Sequence, residues 1–362
     1  MKIELLQELC ETPAISGHED RLIRYVVQYV SNLTDDVHVD RLGNVTATFP
    51  GTEPGAASIA FFAHLDEIGM IVRKVEENGF LRVERVGGVP ERTLVSLKVD
   101  VHSLDDEKTY PGVFGMISHH ITPADKKYAV ATTADLYIDL GVSSKQAVLD
   151  MGIDIGSMVT YSSNFMLLGD TVISKALDDR MGIYNLLEVA EYLKEHKTRS
   201  TVHLVFSVQE EFNIRACTPT FHRLLPDAAV CIDITPACDT PDTAGKYDMK
   251  LGGGPAVMYM NFHGRGTLGG LLPNPKLNRF MEKLARENNI PTQKEVIIGV
   301  ITDDAFTQHV GDEGIPMGHL SIPLRYTHSP AEAANVHDID ATTNLLIKIA
   351  EGFTADTDLC RG

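Results

Sequence analysis

The sequence contains no stretch that resembles a transmembrane helix, and its N-terminus lacks the pattern of a secretory signal peptide. Residues 1–14, MKIELLQELCETPA, carry acidic side chains within the first turns and no apolar run before a small-residue cleavage site. We therefore expect neither a membrane partner nor export through a cleaved leader.

Basic residues are scarce. The 362 residues include 32 lysines and arginines against 50 aspartates and glutamates, which gives a formal net charge of −18. A field of that sign repels nucleic acid and anionic membranes, so neither is an expected partner. The same field favours cationic ligands, such as metal ions or free amino termini.

Cysteines are few, odd in number and without a C-x-x-C pair: Cys10, Cys217, Cys231, Cys238 and Cys360. This usage is typical of reduced thiols in a cytosolic protein, so we predict a cytoplasmic location. The sequence also lacks the H-E-x-x-H and G-x-S-x-G motifs, and its glycine-rich residues 252–255 lack the lysine of a phosphate-binding loop.

The remaining composition, with 43% hydrophobic and 23% charged residues, is that of an ordinary globular protein. The length favours two domains or one domain with a large insertion. Near-continuous apolar runs predict buried strands of an α/β sheet covered by helices on both faces. These runs are residues 57–63, 201–208, 228–232 and 317–322. Apolar stripes at helical spacing predict helices that include residues 22–30, 183–193 and 346–353.

Residues 72–165 have a different character. They contain many short β-like runs, frequent glycine and proline, and no long amphipathic helix. We predict that they form a small β-rich domain inserted into an α/β domain made of residues 1–71 and 166–362.

Charged residues that a core would exclude follow the four predicted strands. In chain order they are His64, Asp66, Glu210, Glu211, Asp233 and His328. Because the ligand site of an open α/β sheet lies outside the carboxyl ends of its strands, we expect these side chains to converge.

Imidazoles and carboxylates without a thiolate suit Zn²⁺, Co²⁺ or Mn²⁺, and crowded carboxylates require a cation to neutralise them. Asp66 is also placed to accept the second ring N–H of His64 and so fix its tautomer. Each feature alone has a simpler interpretation: Asp178 opens a predicted helix, where acids are common, and adjacent glutamates often lie in solvated loops. The convergence of four strands favours a metal site.

Five segments, in this order, resemble the M42 metallopeptidases, the glutamyl and tetrahedral aminopeptidases: AHLDEIGMIV, KALDDRMG, VQEE, DITPACDTP and RYTHSPAE. GVFGMISHH and ATTADLYIDLGVSSKQ resemble the PDZ-like domain of that family. The resemblance covers nearly the whole chain. It implies a metallopeptidase-type sheet covered by helices, with a PDZ-like domain inserted at residues 72–165.

The resemblance also implies a site with two divalent metal ions per chain, zinc first, with cobalt or manganese as alternatives. The implied metal ligands are His64, Asp178, Glu211, Asp233 and His328. Asp178 would bridge the two ions, His64 would complete one site, Asp233 would join it or its neighbour, and Glu211 with His328 would lie on the other side.

Glu210 would be the general base and Asp66 would orient His64. The implied reaction is removal of the N-terminal residue from short peptides with a free N-terminus. A related metal-dependent deacylase, a sugar-directed hydrolase and a non-catalytic paralogue are the alternatives. The chain departs from the family at residues 212–217 (FNIRAC) and 301–305 (ITDDA), segments that bear on the substrate pocket rather than on the implied ligands.

The predicted insertion contributes none of these ligands, so we expect it to serve binding or assembly. In the resembling family it helps to build hollow tetrahedral dodecamers with inward-facing active sites. Closed symmetric homo-oligomers are common among soluble enzymes. We therefore expect a homo-oligomer, with a dodecamer as the first expectation and a dimer as the alternative.

Overall fold

The computed structural model describes residues 1–264 and 269–361. The helices in these ranges are α1 (Ile3–Glu11), α2 (Asp20–Val30), α3 (Lys145–Asp150), α4 (Leu177–Glu195), α5 (Glu210–Asn213), α6 (Thr218–Leu224), α7 (Pro275–Glu287), α8 (Asp304–Thr307) and α9 (Val336–Gly352). The strands are β1 (Val37–Val39), β2 (Val45–Phe49), β3 (Ser58–His64), β4 (Gly69–Val75), β5 (Leu81–Val86), β6 (Lys98–His102), β7 (Thr109–Gly115), β8 (Tyr137–Asp139), β9 (Met158–Tyr161), β10 (Met166–Leu168), β11 (Thr171–Ser174), β12 (Thr201–Ser207), β13 (Ala228–Pro236), β14 (Ala256–Phe262), β15 (Gly270–Leu271), β16 (Gln293–Ile298), β17 (Met317–Arg325) and β18 (Glu332–Asn335).

Four adjacent parallel strands form the centre of the main sheet, in the order β12, β3, β13, β17. Each of the four predicted apolar runs forms one of them. Ser207 at the end of β12 lies beside His64 at the end of β3. The carboxyl ends of the four strands therefore lie at one edge of the sheet, as expected for a ligand-binding α/β fold.

Antiparallel strands extend this centre on both sides. β2 and β1 follow β12, whereas β18, β11 and β10 follow β17, and β14 also pairs with β17. The last strand, β10, carries three exposed apolar side chains, Met166, Leu167 and Leu168. Exposed apolar residues on an edge strand are a feature of surfaces that pair with another chain.

Helices cover both faces of the sheet, so the predicted mixed α/β architecture is confirmed. On one face α4 lies in the main apolar core, which includes side chains of α1, α2, α7 and α9. On the other face Phe221 of α6 packs edge-on against Phe62 of β3, with ring centroids 5.0 Å apart. The predicted helices within residues 22–30, 183–193 and 346–353 correspond to α2, α4 and α9.

The strands between Gly69 and Tyr161 form a separate closed barrel in the order β4, β5, β8, β7, β6, β9. The barrel has its own apolar core, which includes Val83, Phe114 and Ile138. Its β-rich content agrees with the prediction. The resemblance to a PDZ domain and the boundaries at residues 72 and 165 remain predictions.

Two sequence features have direct structural counterparts. No helix in residues 1–264 and 269–361 is long and apolar enough to span a bilayer. All five cysteines are free, and all except Cys360 are buried.

Candidate metal centre

The predicted site residues lie around the carboxyl ends of the central strands. His64 is the last residue of β3, Asp233 lies in the second half of β13, and His328 follows β17. Glu210 and Glu211 form the first turn of α5, which follows β12, and Asp178 lies in the first turn of α4.

Asp178 lies between two histidines. Its Oδ1 is 3.2 Å from Nε2 of His64, and its Oδ2 is 3.5 Å from Nε2 of His328. The Nε2 atom of His328 is also 3.2 Å from Oε1 of Glu211. The structure therefore brings four of the five predicted ligands into one contiguous group, with a carboxylate at its centre.

A second group joins the fifth predicted ligand to the first. Ligand atoms of His64, Asp233 and Asp179 all lie within 4.8 Å of one another. Asp179 was not among the predicted ligands, although it is adjacent to Asp178. It is fully buried, and its Oδ2 has no hydrogen-bond partner. The available sequence signal was the Asp-Asp pair itself, which is equally typical of the start of a helix.

Asp66 orients His64 through its main chain. Nδ1 of His64 lies 2.9 Å from the Asp66 carbonyl oxygen, which can only accept, so Nδ1 is the donor and Nε2 is left facing Asp178. The Asp66 carboxylate is farther from Nδ1, at 3.6 Å. Its oxygens instead accept the backbone N–H groups of Glu210 and Glu211, at 3.0 and 3.1 Å. One residue thus fixes both the histidine and the start of α5.

Gly88, in the connection between β5 and β6 of the barrel, orients His328 in the same way. Its carbonyl oxygen is 3.2 Å from Nδ1 of His328, so Nε2 is directed towards Asp178 and Glu211. A Cβ atom at Gly88 would lie 2.7 Å from Nδ1. The sequence gives no signal for this contact, because a glycine carbonyl has no residue-type signature.

Burial and neighbouring charges perturb the pKa values of the carboxyls at this site. Burial raises the pKa of Glu210 well above its ordinary value, an effect that His64 opposes and Asp233 increases. Burial and the neighbouring Asp178 raise the pKa of Asp233 to about 7. Burial also acts to raise the pKa of Asp178, but hydrogen bonds from His328 and His64 hold it below the ordinary range.

Several carboxyls at this site can be ionised together only if cations neutralise them. Two imidazole nitrogens and four neighbouring carboxylates, one of which is Asp179 with its unpaired buried oxygen, supply the donor set that zinc, cobalt or manganese prefer. The residues present therefore fit divalent metal ions.

Comparison with known proteins agrees with this geometry. The model of the M42 glutamyl aminopeptidase family matches residues 43–345. The chain is 42% identical over 348 residues to SgcX, a putative aminopeptidase of Escherichia coli (strain K12), and the match covers 96% of this chain and 92% of that protein.

Solved structures share the whole fold. The aminopeptidase APDkam598 from the archaeon Desulfurococcus kamchatkensis superposes with a TM-score of 0.92 at 35% identity, over 98% of this chain and 96% of that one. PhTET1-12s, whose crystal contains a dodecamer in the asymmetric unit, superposes with a TM-score of 0.85 at 28% identity, over 98% of this chain and all of the other. Since the family model matches most of the chain, including the barrel and the candidate centre, the chain belongs to the M42 glutamyl aminopeptidase family.

Proposed function

We propose that this protein is a dinuclear metal-dependent aminopeptidase that removes the N-terminal residue from short peptides. The observation that carries the proposal is the Asp178 carboxylate, which directs one oxygen towards His64 and the other towards His328. A carboxylate in that position suits a bridge between two cations. His64 and Asp233 would hold one ion with it, and Glu211 and His328 would hold the other.

When bound, ions of the zinc type would supply polarisation of a substrate carbonyl and would lower the pKa of a coordinated water to about 7. Glu210 takes the proton from the attacking water and passes it to the leaving amine. Burial raises the pKa of Glu210 above its ordinary value, and a carboxylate positioned beside the reacting water is a common acid–base catalyst. Asp66 holds its backbone in place, and burial restricts the access of bulk water.

The substrate's free α-amine is the group that makes such an enzyme an exopeptidase. A cationic amine is attracted by the acidic site, and one of its carboxylates or ions would bind it. N-acylation removes both the charge and the lone pair, so an acylated substrate loses this interaction.

A substrate screen tests the proposal. Purified protein loaded with Zn²⁺, Co²⁺ or Mn²⁺ is assayed with a panel of aminoacyl fluorogenic substrates and with their N-acetylated counterparts. We expect metal-dependent hydrolysis of the free amines alone. Release of acetate from the acetylated series, without release of fluorophore from the free amines, would identify a deacylase, and metal-independent turnover would remove the role of the ions.

We also propose a cytoplasmic homo-oligomer, with a dodecamer as the first expectation. The dodecamer in the PhTET1-12s crystal and the exposed apolar edge strand β10 support this assembly. The predicted domain division, with residues 72–165 inserted between residues 1–71 and 166–362, belongs to the same proposal.

A further inference from the structure

A further group of side chains of metal-ligand type lies beneath the candidate catalytic centre. Cys231 of β13 and His319 of β17 are register partners on parallel strands, so their side chains project from the same face of the sheet. Asp304, at the start of α8, packs against that face, and its Oδ2 lies 2.5 Å from Nδ1 of His319. Ligand atoms of Cys231, Asp304 and His319 all lie within 4.8 Å of one another.

Two polar atoms in this group have no partner. Nε2 of His319 and Oδ1 of Asp304 make no hydrogen bond in the structure, although both residues are completely buried. Leaving a buried polar atom unpaired costs roughly 1–3 kcal/mol. An ion bound by these two atoms would remove that cost.

An Asp–His ion pair beside a buried thiol is the simpler interpretation, and it accounts for only part of the geometry. It explains the contact between Asp304 and His319. The thiol of Cys231 also has a partner, because its Sγ lies 3.4 Å from the Thr302 hydroxyl. The ion pair does not explain why the second oxygen of Asp304 and the second nitrogen of His319 are buried without a partner.

We propose that Cys231, Asp304 and His319 form a third metal site, which takes zinc with three protein ligands. Thiolate, imidazole and carboxylate are the three side-chain ligands that zinc binds most often. Binding releases the thiol proton of Cys231 to solvent as the thiolate forms. The ion would link β13, β17 and α8 directly below Asp233, and so fix the strand that carries this residue.

This site differs chemically from the candidate catalytic centre. The two groups share no residue, and no thiol belongs to the predicted catalytic set. A thiolate bound to Co²⁺ gives a charge-transfer band in the near ultraviolet that imidazole and carboxylate ligands do not give. The band therefore does not arise from the other centre, whether or not the protein is an aminopeptidase, and its loss in Cys231→Ala would assign it to this site.

The test is ultraviolet absorption of the intact protein after exchange into Co²⁺. We expect the thiolate band in the wild type, and its loss in Cys231→Ala. Cys10→Ala is the matched control, because Cys10 is equally buried but lies in the main apolar core. That variant should keep the band, as should His328→Ala, which removes a ligand of the other centre.

Elemental analysis gives an independent measurement. His319→Gln and Cys231→Ala should each bind one ion fewer per chain than the wild type. After metal loading, both variants should have a lower Tm than the metal-loaded wild type. Absence of the band from the wild type, or its persistence in Cys231→Ala, overturns the proposal. If Cys231→Ala does not fold, the Co²⁺ spectrum of the wild type and the metal content of His319→Gln test the proposal instead.

Discussion

Glu210 is the residue whose chemistry is most separable from metal binding. Replacing it by Gln removes the proton acceptor but keeps the size of the side chain and the backbone N–H that bonds Asp66. We expect Glu210→Gln to lower kcat by ~10²–10⁴-fold, the usual contribution of a positioned base, with metal content unchanged. Steady-state kinetics and elemental analysis on the same preparation check both parts.

Asp178→Asn is the contrasting variant. Because the Asp178 carboxylate faces both histidines, its replacement should weaken the binding of both catalytic ions and abolish activity through metal loss. Excess metal should then restore part of the activity of Asp178→Asn and none of that of Glu210→Gln. Near-normal kcat in Glu210→Gln would show that another group is the base.

Gly88 gives a test at a residue outside the candidate ligand set. Its backbone angles are not in the left-handed region, so alanine fits the main chain, but the added Cβ would lie 2.7 Å from Nδ1 of His328. We expect Gly88→Ala to displace His328 and to weaken metal binding by ~10–100-fold, the typical effect of losing a partner of a ligating histidine. Competition with a coloured chelator measures the change.

Gly141→Ala is the control for Gly88→Ala. Gly141 also follows a barrel strand and has no atom within 4 Å of the added Cβ, although its φ of +74° disfavours alanine. This variant should lose some stability and keep its metal affinity. Equal metal affinities in the two variants would show that the Gly88 contact does not position His328.

The sequence predicts the candidate catalytic side chains better than it predicts the groups that hold them. His64, Glu210 and Asp233 could be predicted because a charged residue at the end of an apolar strand is costly unless it has a function. The same reasoning assigned the orienting role to the Asp66 side chain, whereas its main-chain carbonyl makes the closer contact with His64. Main-chain groups have no residue-type signature, which is why Gly88 was missed.

At the scale of single elements, β6 carries a histidine that makes the barrel sensitive to acid. His102 is buried between the hydroxyls of Thr109 and Thr160, and burial lowers its pKa to about 3. The unfolded chain takes up this proton near pH 6.5, whereas the folded chain does so only near pH 3. The stability due to neutral His102 is therefore fully present above about pH 6.5 and is lost progressively as pH falls towards 3.

We expect His102 to lower the free energy of unfolding by about 2 kcal/mol when the pH falls from 7 to 5. Urea unfolding of wild type and His102→Gln at both pH values measures the contribution. Glutamine can bond both threonines but does not titrate, and metal loss at low pH affects both proteins alike. A wild-type pH dependence no steeper than that of His102→Gln would contradict the assignment.

The long central elements could be predicted and the short peripheral ones could not. β3, β12, β13 and β17 are buried on both faces, so their sequences are continuous apolar runs. β10, β11 and β18 are only three or four residues long, and such segments are too short for a period to be recognised. Closure of the barrel likewise depends on pairing between distant strands, such as β4 with β9.

At the scale of the whole molecule, assembly should depend on the edge strand β10. Leu167 is 47% exposed there, between two further exposed apolar residues. We expect the metal-loaded wild type to be a homo-oligomer and Leu167→Asp to shift it to smaller species, because a buried unpaired charge is costly at an apolar interface. Light scattering coupled to size exclusion measures the mass of both.

Leu42→Asp is the matched control, because Leu42 is also 47% exposed but lies in the turn between β1 and β2. It should leave the mass unchanged. A monomeric wild type under all metal and salt conditions would remove the assembly proposal. Dissociation of Leu42→Asp, with Leu167→Asp intact, would move the interface to the opposite edge of the sheet.

The hydrogen bond between Gly88 and His328 has a consequence for how the protein responds to its surroundings. Because one contact serves both the barrel and a metal ligand, any stabilisation of one by the other is reciprocal. If neighbouring subunits hold the barrel in a fixed position, we expect a higher affinity for an ion bound at His328. Depletion of that ion should in turn loosen the barrel. We expect metal depletion to lower both the activity of the protein and the size of its oligomer.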